Sequence, residues 1–523
     1  MSQNSSNKLI LKNTLYLYLR MFLVMALSLY TSRIVIDVLG IEDYGLYNVI
    51  GGIIVLLNLL NSSMVSATQR FLTYEIGVGN TERVSQTFSM SMTIHLGISA
   101  VLVILGETVG LWYVLNHLSI PEGRETAAFW VYQISLVSMV VNIIRTPYNA
   151  AIISYEKMSF YAVITVVDMV FRLLIIFLLL YVSFDKLILY ALLGLALDCL
   201  VTFIYKKFCQ KKFTTCNYKY YMEKSYFKKL LGFLGWTFVG GLSTMGVQQV
   251  GNLIINAFCG VAANAAYAVA TRVNMAVNQF VTNFQTAFRP QIVKLYAQKN
   301  TPQFVLLMNR SAILSYYLLF LLAFPIFVHI DTVLSLWLTK VPEYSGIFCQ
   351  LVLLTSVIYA LQAPLWMAIS ATGNIKGYNI WTSAISFLSL PILYLFLKLG
   401  YPPYWVMIVK VATELIMSVC RVIHVKVFLK LPMKDYMVNV LLRVSLATAA
   451  IFAAWYFINY LFPVSDLLTF IRMYIIMGVI SLVMMYTVGV GKIERDFINS
   501  LVLKRWDAIK GNLKKNNNDN ESN

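Results

Sequence analysis

Charge is what this 523-residue chain has least of. Asp, Glu, Lys and Arg make up 12% of it, against 59% hydrophobic residues. A soluble domain carries about 25% charged residues, so a soluble globular class is excluded and an integral membrane protein remains. Histidine is scarce: His95, His117, His329 and His424 stand far apart with no metal-ligating spacing. The six cysteines show no C-x-x-C spacing, so neither a disulfide framework nor a zinc site is implied. There is no Walker A motif, which excludes ATP as the direct energy source. No acidic cluster of the kind that holds Mg²⁺ and diphosphate stands out. No small-residue cleavage site follows the first apolar run, so the first helix is expected to be retained.

What the chain does have is length of apolar sequence. A hydrocarbon core of about 30 Å takes about 20 helical residues to cross. By that ruler the chain holds about fourteen spans: 13–39, 43–76, 84–115, 125–154, 158–183, 186–206, 230–259, 262–297, 304–329, 345–372, 376–398, 403–428, 436–461 and 467–490. The runs do not alternate and are not broken at strand spacing, which predicts helices and not a barrel. The longest connection expected on the outer side, 330–344, is too short for a catalytic domain.

The formal charge of +18 is mostly a topology signal, not a sign of nucleic-acid binding. Between spans six and seven lie Lys206, Lys207, Lys211, Lys212, Lys219, Lys224, Lys228 and Lys229, against one acid, Glu223. The positive-inside rule places that connection in the cytoplasm. An even number of spans on either side then puts both termini there too. Lys8, Lys12, Lys157, Lys294, Lys299, Lys376, Lys426, Lys430 and Lys434 agree. Beyond span fourteen, apolar and basic residues alternate at helical spacing through 492–515. That pattern predicts an amphipathic helix on an anionic inner leaflet, followed by the polar end "NNNDNESN".

The sequence also repeats. "DVLGIEDYGLYNV" at 37–49 is echoed by "NAFCGVAANAAYAV" at 256–269, "SATQRFLTYEIGVGNT" by "FQTAFRPQIVKLYAQKNT", and "TPYNAAIISYEK" by "APLWMAISATGN". The offsets lie near 220 residues. Six spans per copy predict two lobes related by an axis along the membrane normal, with spans thirteen and fourteen extra. The expected organisation is a lobe at 1–208, a basic loop at 209–229, a second lobe at 230–430, two helices at 431–491 and a cytoplasmic tail at 492–523.

Polar residues line particular helix faces. Span two carries Asn58, Ser62, Ser66 and Gln69; span seven carries Thr244, Gln248, Asn252 and Asn256; span eight carries Asn278, Gln279 and Asn283. Lipid cannot satisfy such groups, so they either line a watery cavity or bond helix to helix. Arg272 lies about 15 Å deep by helical rise, too deep to snorkel easily. Arg33/Asp37, Asp168/Arg172 and Lys410/Glu414 stand at i, i+4 spacing. Such pairs either ease insertion or face the cavity. In the second reading Arg33 binds an anion, and Asp37 releases it by competing for the arginine or by taking up H⁺ or Na⁺. Arg70, Arg145 and Arg289 lie nearer the inner ends, as interface anchors or as a converging cationic mouth. Asp198 and His95 read as packing residues before ion sites.

The stretch from 17 to 80 resembles the N-terminal segment of Wzx-type polysaccharide flippases. The resemblance is carried by an R-x-x-x-x-x-L-G-x-x-x-Y-G-x-Y pattern at Arg33, Leu39, Gly40, Tyr44, Gly45 and Tyr47. That family belongs to the superfamily of multidrug, oligosaccharidyl-lipid and polysaccharide exporters. The resemblance implies a two-lobed bundle around a cationic cavity. It implies as ligand a polyprenyl-diphosphate oligosaccharide of O-antigen or capsule type, moved to the outer face by alternating access. Other polysaccharide assembly proteins are implied as further partners, and no cofactor beyond a coupling ion, H⁺ or Na⁺. The family fixes no residue roles here. The diphosphate site expected from depth and helix face is Arg33, Arg272, Arg70, Arg145 and Arg289. Asp37, Asp168, Asp198 and Glu414 are the candidates for coupling or release. The competing readings are a cation-coupled multidrug exporter on the same fold, or a membrane polysaccharide polymerase or ligase. The excess of arginine over acid in the polar stripes argues against the first, and the lack of a sizeable outer loop with catalytic Arg or His argues against the second.

Overall fold

In the computed structural model the described residues are 3–499, apart from 58, 119, 339, 462–466, 492–494 and 496–498; some helical side chains, those of Arg33 and Ser62 among them, also lie outside the described set. The amphipathic tail expected over 492–515 therefore falls outside it, save Arg495 and Asn499, as does the side chain of Asn58.

The described residues are helical, with no strand among them. In chain order the long helices are α1 (Gln3–Leu39), α2 (Ile41–Leu57 and Leu59–Val78), α3 (Thr81–Asn116), α4 (Glu125–Ser154), α5 (Met158–Tyr181), α6 (Lys186–Lys212) and α7 (Lys224–Gly260). Then come α8 (261–297), α9 (Thr301–Val328), α10 (Ser345–Thr372), α11 (Lys376–Lys398), α12 (Trp405–Phe428), α13 (Tyr436–Tyr460) and α14 (Leu468–Gly489). Ten of these are long and apolar enough to cross a membrane by composition alone. The other four are α1, α2, α8 and α12, of which α12 carries Lys410, Glu414, Arg421 and Lys426. Together they account for the fourteen spans. One element is additional: 330–344, expected as a plain connection, contains the short helix Ile330–Trp337, whose Ile330 and Leu334 are buried against Phe348 and Met407.

Helix ends have local causes. Asn80 caps α3 by accepting from the backbone N–H of Arg83 at 3.0 Å, and Asp185 caps α6 by accepting from Leu187 and Ile188. Five helices keep an internal proline, at Pro147, Pro290, Pro325, Pro364 and Pro391. Transmembrane helices tolerate them because neighbours satisfy the freed carbonyls. In α3 a π-turn spans Gly106–Gly110, and the Gly106 carbonyl accepts both from the Leu111 N–H and from the Tyr132 hydroxyl at 2.7 Å.

The chain forms two compact units. One takes in the described residues of Met1–Gly251 with Thr282–Phe304 and Trp366–Pro391; the other takes in Asn252–Val281, Val305–Leu365 and the remainder from Ile392. The core of the first is built by Phe88, Tyr148, Ile152, Val201 and Cys209 from α3, α4 and α6. The second has Ile255, Ala266, Phe348 and Met407 in one cluster and Val277, Leu319 and Leu353 in another.

The backbone carries the repeat more plainly than the side chains do. Ten described residues have positive φ. Eight of them pair at nearly one offset: Gly40 with Gly260 (260 − 40 = 220), Gly79 with Lys299 (220), Gly123 with Tyr344 (221) and Glu156 with Gly373 (217). Three pairs follow helices and one, Gly123 with Tyr344, precedes α4 and α10, so the offset near 220 recurs in the conformation of the chain.

Two expectations follow. Gly260, at φ 75° and ψ −173°, sits in a region open essentially to glycine, although a Cβ there would meet no atom within 4 Å. Gly260→Ala should cost about 1–3 kcal/mol through backbone strain alone, read as a lower unfolding temperature in detergent; an unchanged temperature would contradict it. The second concerns Arg124, which joins Asp43 at 2.6 Å and Asp185 at 2.5 Å. Burial alone would raise the Asp185 carboxyl, but the Arg124 hydrogen bond and the backbone N–H groups of Ile188 and Leu187 hold it below its ordinary value. A depressed carboxyl stabilises above its unfolded pKa, about 3.9, and that stability is lost as pH falls through the folded value. Thermal stability should therefore drop at acid pH, and Asp185→Asn should flatten that part of the profile.

Candidate functional site

The expected site residues divide between the two compact units. In the first, α5 and α6 present a charge network. Asp198 is buried and accepts from Arg172 at 2.7 Å, from Asn142 at 3.3 Å and from the Ser138 hydroxyl. Arg172 also reaches Asp168, four residues back on its own helix, at 3.2 Å. One arginine thus serves two carboxylates across two helices. Asp198 has the set of partners expected of a satisfied packing residue.

Arg20, Arg145 and Arg70 of this unit have a different surrounding. Arg20 donates to the Tyr161 hydroxyl at 2.9 Å and to Asn283 Oδ1 at 2.8 Å, and lies over the Tyr161 ring. Arg145 donates to Asn142 Oδ1 and faces Tyr205. Arg70 is buried, donates to the backbone carbonyl of Ala371 at 2.7 Å, and stacks on Phe71 and Tyr74. Among the described residues no carboxylate lies within ion-pairing distance of Arg20, Arg70 or Arg145. The partners are hydroxyls, amides and a peptide oxygen, which leave the positive charge in place. Arg289 donates to Ser66 Oγ at 2.6 Å. Four buried donors here have no acceptor at all: Arg20 Nε, Arg70 Nε, Gln69 Nε2 and Gln285 Nε2.

The neighbouring contacts are close. Gly373, at φ 76°, lies against the Arg70 guanidinium, where a Cβ would stand 2.7 Å from Cζ. Gly77 lies against Lys294 and Ala297 of α8, where a Cβ would stand 2.9 Å from Ala297 Cβ. Glu156, in the turn between α4 and α5, is buried; it accepts from Gln291 Nε2 at 2.5 Å and pairs with Lys294. These groups all belong to the end of the unit that carries the basic connection 206–229.

In the second unit Arg272 is exposed and makes no hydrogen bond or ion pair among the described residues. Asn278 does bond helix to helix: it donates to Ser356 Oγ of α10 at 3.1 Å, and Ser356 in turn donates to Asn274 Oδ1, one turn back on α8, at 2.5 Å. Asn252 is half-buried with its Oδ1 unpartnered. Asn256 and Gln279 are exposed, as are Thr244, Gln248 and Asp37 of the first unit. Glu414 is buried and bonded to Arg421 at 2.6 Å, two turns along, not to Lys410 at the expected spacing. Of the remaining candidates, Arg33, Asn58 and Ser62 lie outside the described side chains.

Sequence reasoning missed Arg20, Glu156 and Arg421. Arg20 had a visible signal, being the sole charged residue in the 20-residue stretch from Asn13 to Ser32. Glu156 is the only acid of its turn, and nothing local marks its partners 135 and 138 residues away.

The Glu156–Lys294 pair is testable by a double-mutant cycle on thermal unfolding. Glu156→Gln and Lys294→Gln should each destabilise, because each leaves a largely buried charge uncompensated. The two effects should fall short of additivity by about 1–3 kcal/mol; strict additivity would show that the pair does not couple.

No family model and no curated protein matches the sequence. The fold does match solved structures. A crystal structure of a MATE P26A mutant superposes with a TM-score of 0.68 at 12% identity, over 80% of this chain and 97% of that one. An outward-facing MATE family transporter of the MOP superfamily gives 0.66 at 12% identity, over 79% and 94%. A MOP superfamily transporter from Pyrococcus furiosus, described as having a binding pocket of reverse polarity that suggests a different function, gives 0.63 at 13% identity, over 80% and 94%. The chain has the MATE-like fold, and its structural neighbours are MATE family transporters of the MOP superfamily.

Proposed function

We propose that this protein is a flippase for a polyprenyl-diphosphate-linked oligosaccharide, carrying it from the cytoplasmic to the outer face of a bacterial inner membrane. The observation that supports this reading is the set of arginines held by neutral partners. Arg20, Arg70 and Arg145 have no carboxylate partner among the described residues, and Arg272 is exposed on its helix. Guanidinium forks match phosphate oxygens in shape, and charge-assisted bonds are about twice as strong as neutral ones. A diphosphate would therefore exchange favourably for the hydroxyl and amide oxygens now in place. Tyr161, Asn283, Gln69 and Gln285 supply hydrogen-bonding groups beside these arginines that suit hydroxyl-rich sugars.

In this reading the candidates for meeting the anion are Arg33, Arg70, Arg145 and Arg289, with Arg20 added, in the first unit and Arg272 in the second. The two termini lie in the cytoplasm, and the chemistry is transport, not catalysis. Asp198 and Glu414 are engaged by arginines, which leaves exposed Asp37 as the freer candidate for H⁺ or Na⁺ coupling. A cation-coupled drug exporter shares the fold, but its cationic cargo would meet arginines without counter-charges.

The test is translocation in proteoliposomes with a polyprenyl-diphosphate oligosaccharide, scored by an external lectin. Loss of one charge-assisted contact removes about 1.5–3 kcal/mol, so Arg20→Ala and Arg272→Ala should each slow flipping about tenfold or more at equal protein level. Full activity in both variants would sink the anion assignment. Accumulation of a cationic dye without glycolipid movement would replace it by the drug-exporter reading.

A further inference from the structure

A groove of about 600 Å³ opens in the first unit between α3, α4 and α6, away from the arginines described above. Its volume lies within the range of about 300–1,000 Å³ typical of ligand sites. The lining is graded along its length. Leu96, Ile144 and Phe203 give it an apolar stretch; Lys206, Gln210 and Asn217 give it a polar end. On α6 the lining positions 199, 202, 203, 206 and 210 recur at i, i+3, i+4, i+7 and i+11, so they share one helix face. From Cys199 to Lys206 the groove runs about 10 Å along the helix axis.

The polar end is built from the basic connection itself, which is fixed to the unit. Phe213 stacks on Tyr155 at 4.0 Å, and the Tyr155 hydroxyl pairs with Thr215 at 2.8 Å. The backbone N–H of Lys219 donates to Ser89 at 3.2 Å, and Tyr218 meets Thr93 at 3.3 Å. Within the groove, Thr202 Oγ1 is buried with no partner. Lys206 and Gln210 make no side-chain hydrogen bond or ion pair among the described residues. Glu223, the one acid of the connection, is held by Arg83 at 2.7 Å and does not line the groove. An apolar channel on the membrane-facing side of a helix thus ends at an unpaired ammonium, an amide and a concentration of lysines.

We propose that this groove is a binding site for an anionic phospholipid of the surrounding bilayer. One acyl chain lies along Leu96, Ile144 and Phe203, and the headgroup phosphate sits on Lys206 and Gln210. The occupant is a bilayer lipid because the groove faces the membrane flank of α3, α4 and α6, where Leu96 and Phe203 are exposed. Charge complementarity selects an anionic headgroup over a zwitterionic one. The site is separate from the transport reading and does not rest on it.

The experiment uses the full chain in nanodiscs containing trace phosphatidylglycerol with a photoactivatable group in its acyl chain, against the matched phosphatidylcholine probe. Crosslinked peptides are located by mass spectrometry. The glycerol lipid should label the peptides holding Ile144 and Phe203 about fivefold more than the choline lipid, the ratio expected for one lysine acting on an anionic headgroup. Lys206→Glu should abolish that preference, whereas Lys211→Glu, a charge-matched change outside the lining, should keep it. Thermal unfolding of both variants confirms that they fold. Equal labelling by the two probes, or equal loss in both variants, would overturn the site in favour of unselective lipid contact. Displacement of the probe by a polyprenyl diphosphate but not by unlabelled phosphatidylglycerol would also overturn it, and would assign the groove to the cargo.

Discussion

Hydrocarbon offers no hydrogen-bond partner to a peptide group, and the rest of this structure follows from that constraint. Every residue that crosses the membrane must satisfy its N–H and C=O within the chain, so helix is compulsory and carries little information. The information lies where helices stop. Eight of the ten positive-φ residues fall into four pairs 217–221 residues apart, each pair beside the ends of equivalent helices. Side chains at these positions have diverged: Gly79 answers to Lys299, and Gly373 to Glu156. The left-handed turn has outlasted the glycine that makes it easiest. A duplicated architecture can persist in this way after sequence identity has faded.

The same scarcity of solvent governs the charges. An arginine inside a membrane protein must find oxygen, and the oxygen it finds decides what it can do. Arg172 and Arg421 are bound to carboxylates and serve as struts between or along helices. Arg20, Arg70 and Arg145 are bound to neutral oxygens. Their desolvation is met by hydrogen bonds, while their charge remains available to an anion. Two populations of arginine, alike in sequence, thus differ in chemistry through the partner alone.

This difference marks the limit of what the sequence could show. The fourteen spans were legible because each rests on local composition, a window of about 20 apolar residues. Gly40 and Gly260 were legible as parts of a repeat. The i, i+4 pairing of Asp168 with Arg172 was legible too, since helix geometry alone brings them together. Glu414 shows how the same argument fails: Lys410 stands at the expected spacing, yet the carboxylate bonds Arg421. Asn278 likewise lay on a polar stripe, and its bond to Ser356 of α10 makes it in part a joint between helices. Arg20 with Asn283 and Glu156 with Lys294 join residues 263 and 138 positions apart. No local pattern encodes such contacts.

The end of the first unit near the basic connection draws these strands together. Arg70, Arg289 and Lys294 each bridge the N-terminal helices to segments from the second copy of the repeat, at Ala371, Ser66 and Glu156 respectively. Two of the three bridges end on a neutral oxygen, an acceptor that phosphate outcompetes; the third ends on a carboxylate, which it does not. In the proposed flippase reading, an anion at Arg70 would compete with the Ala371 carbonyl more readily than it would displace Glu156 from Lys294. In that reading the cations proposed to meet the ligand would also hold these segments together.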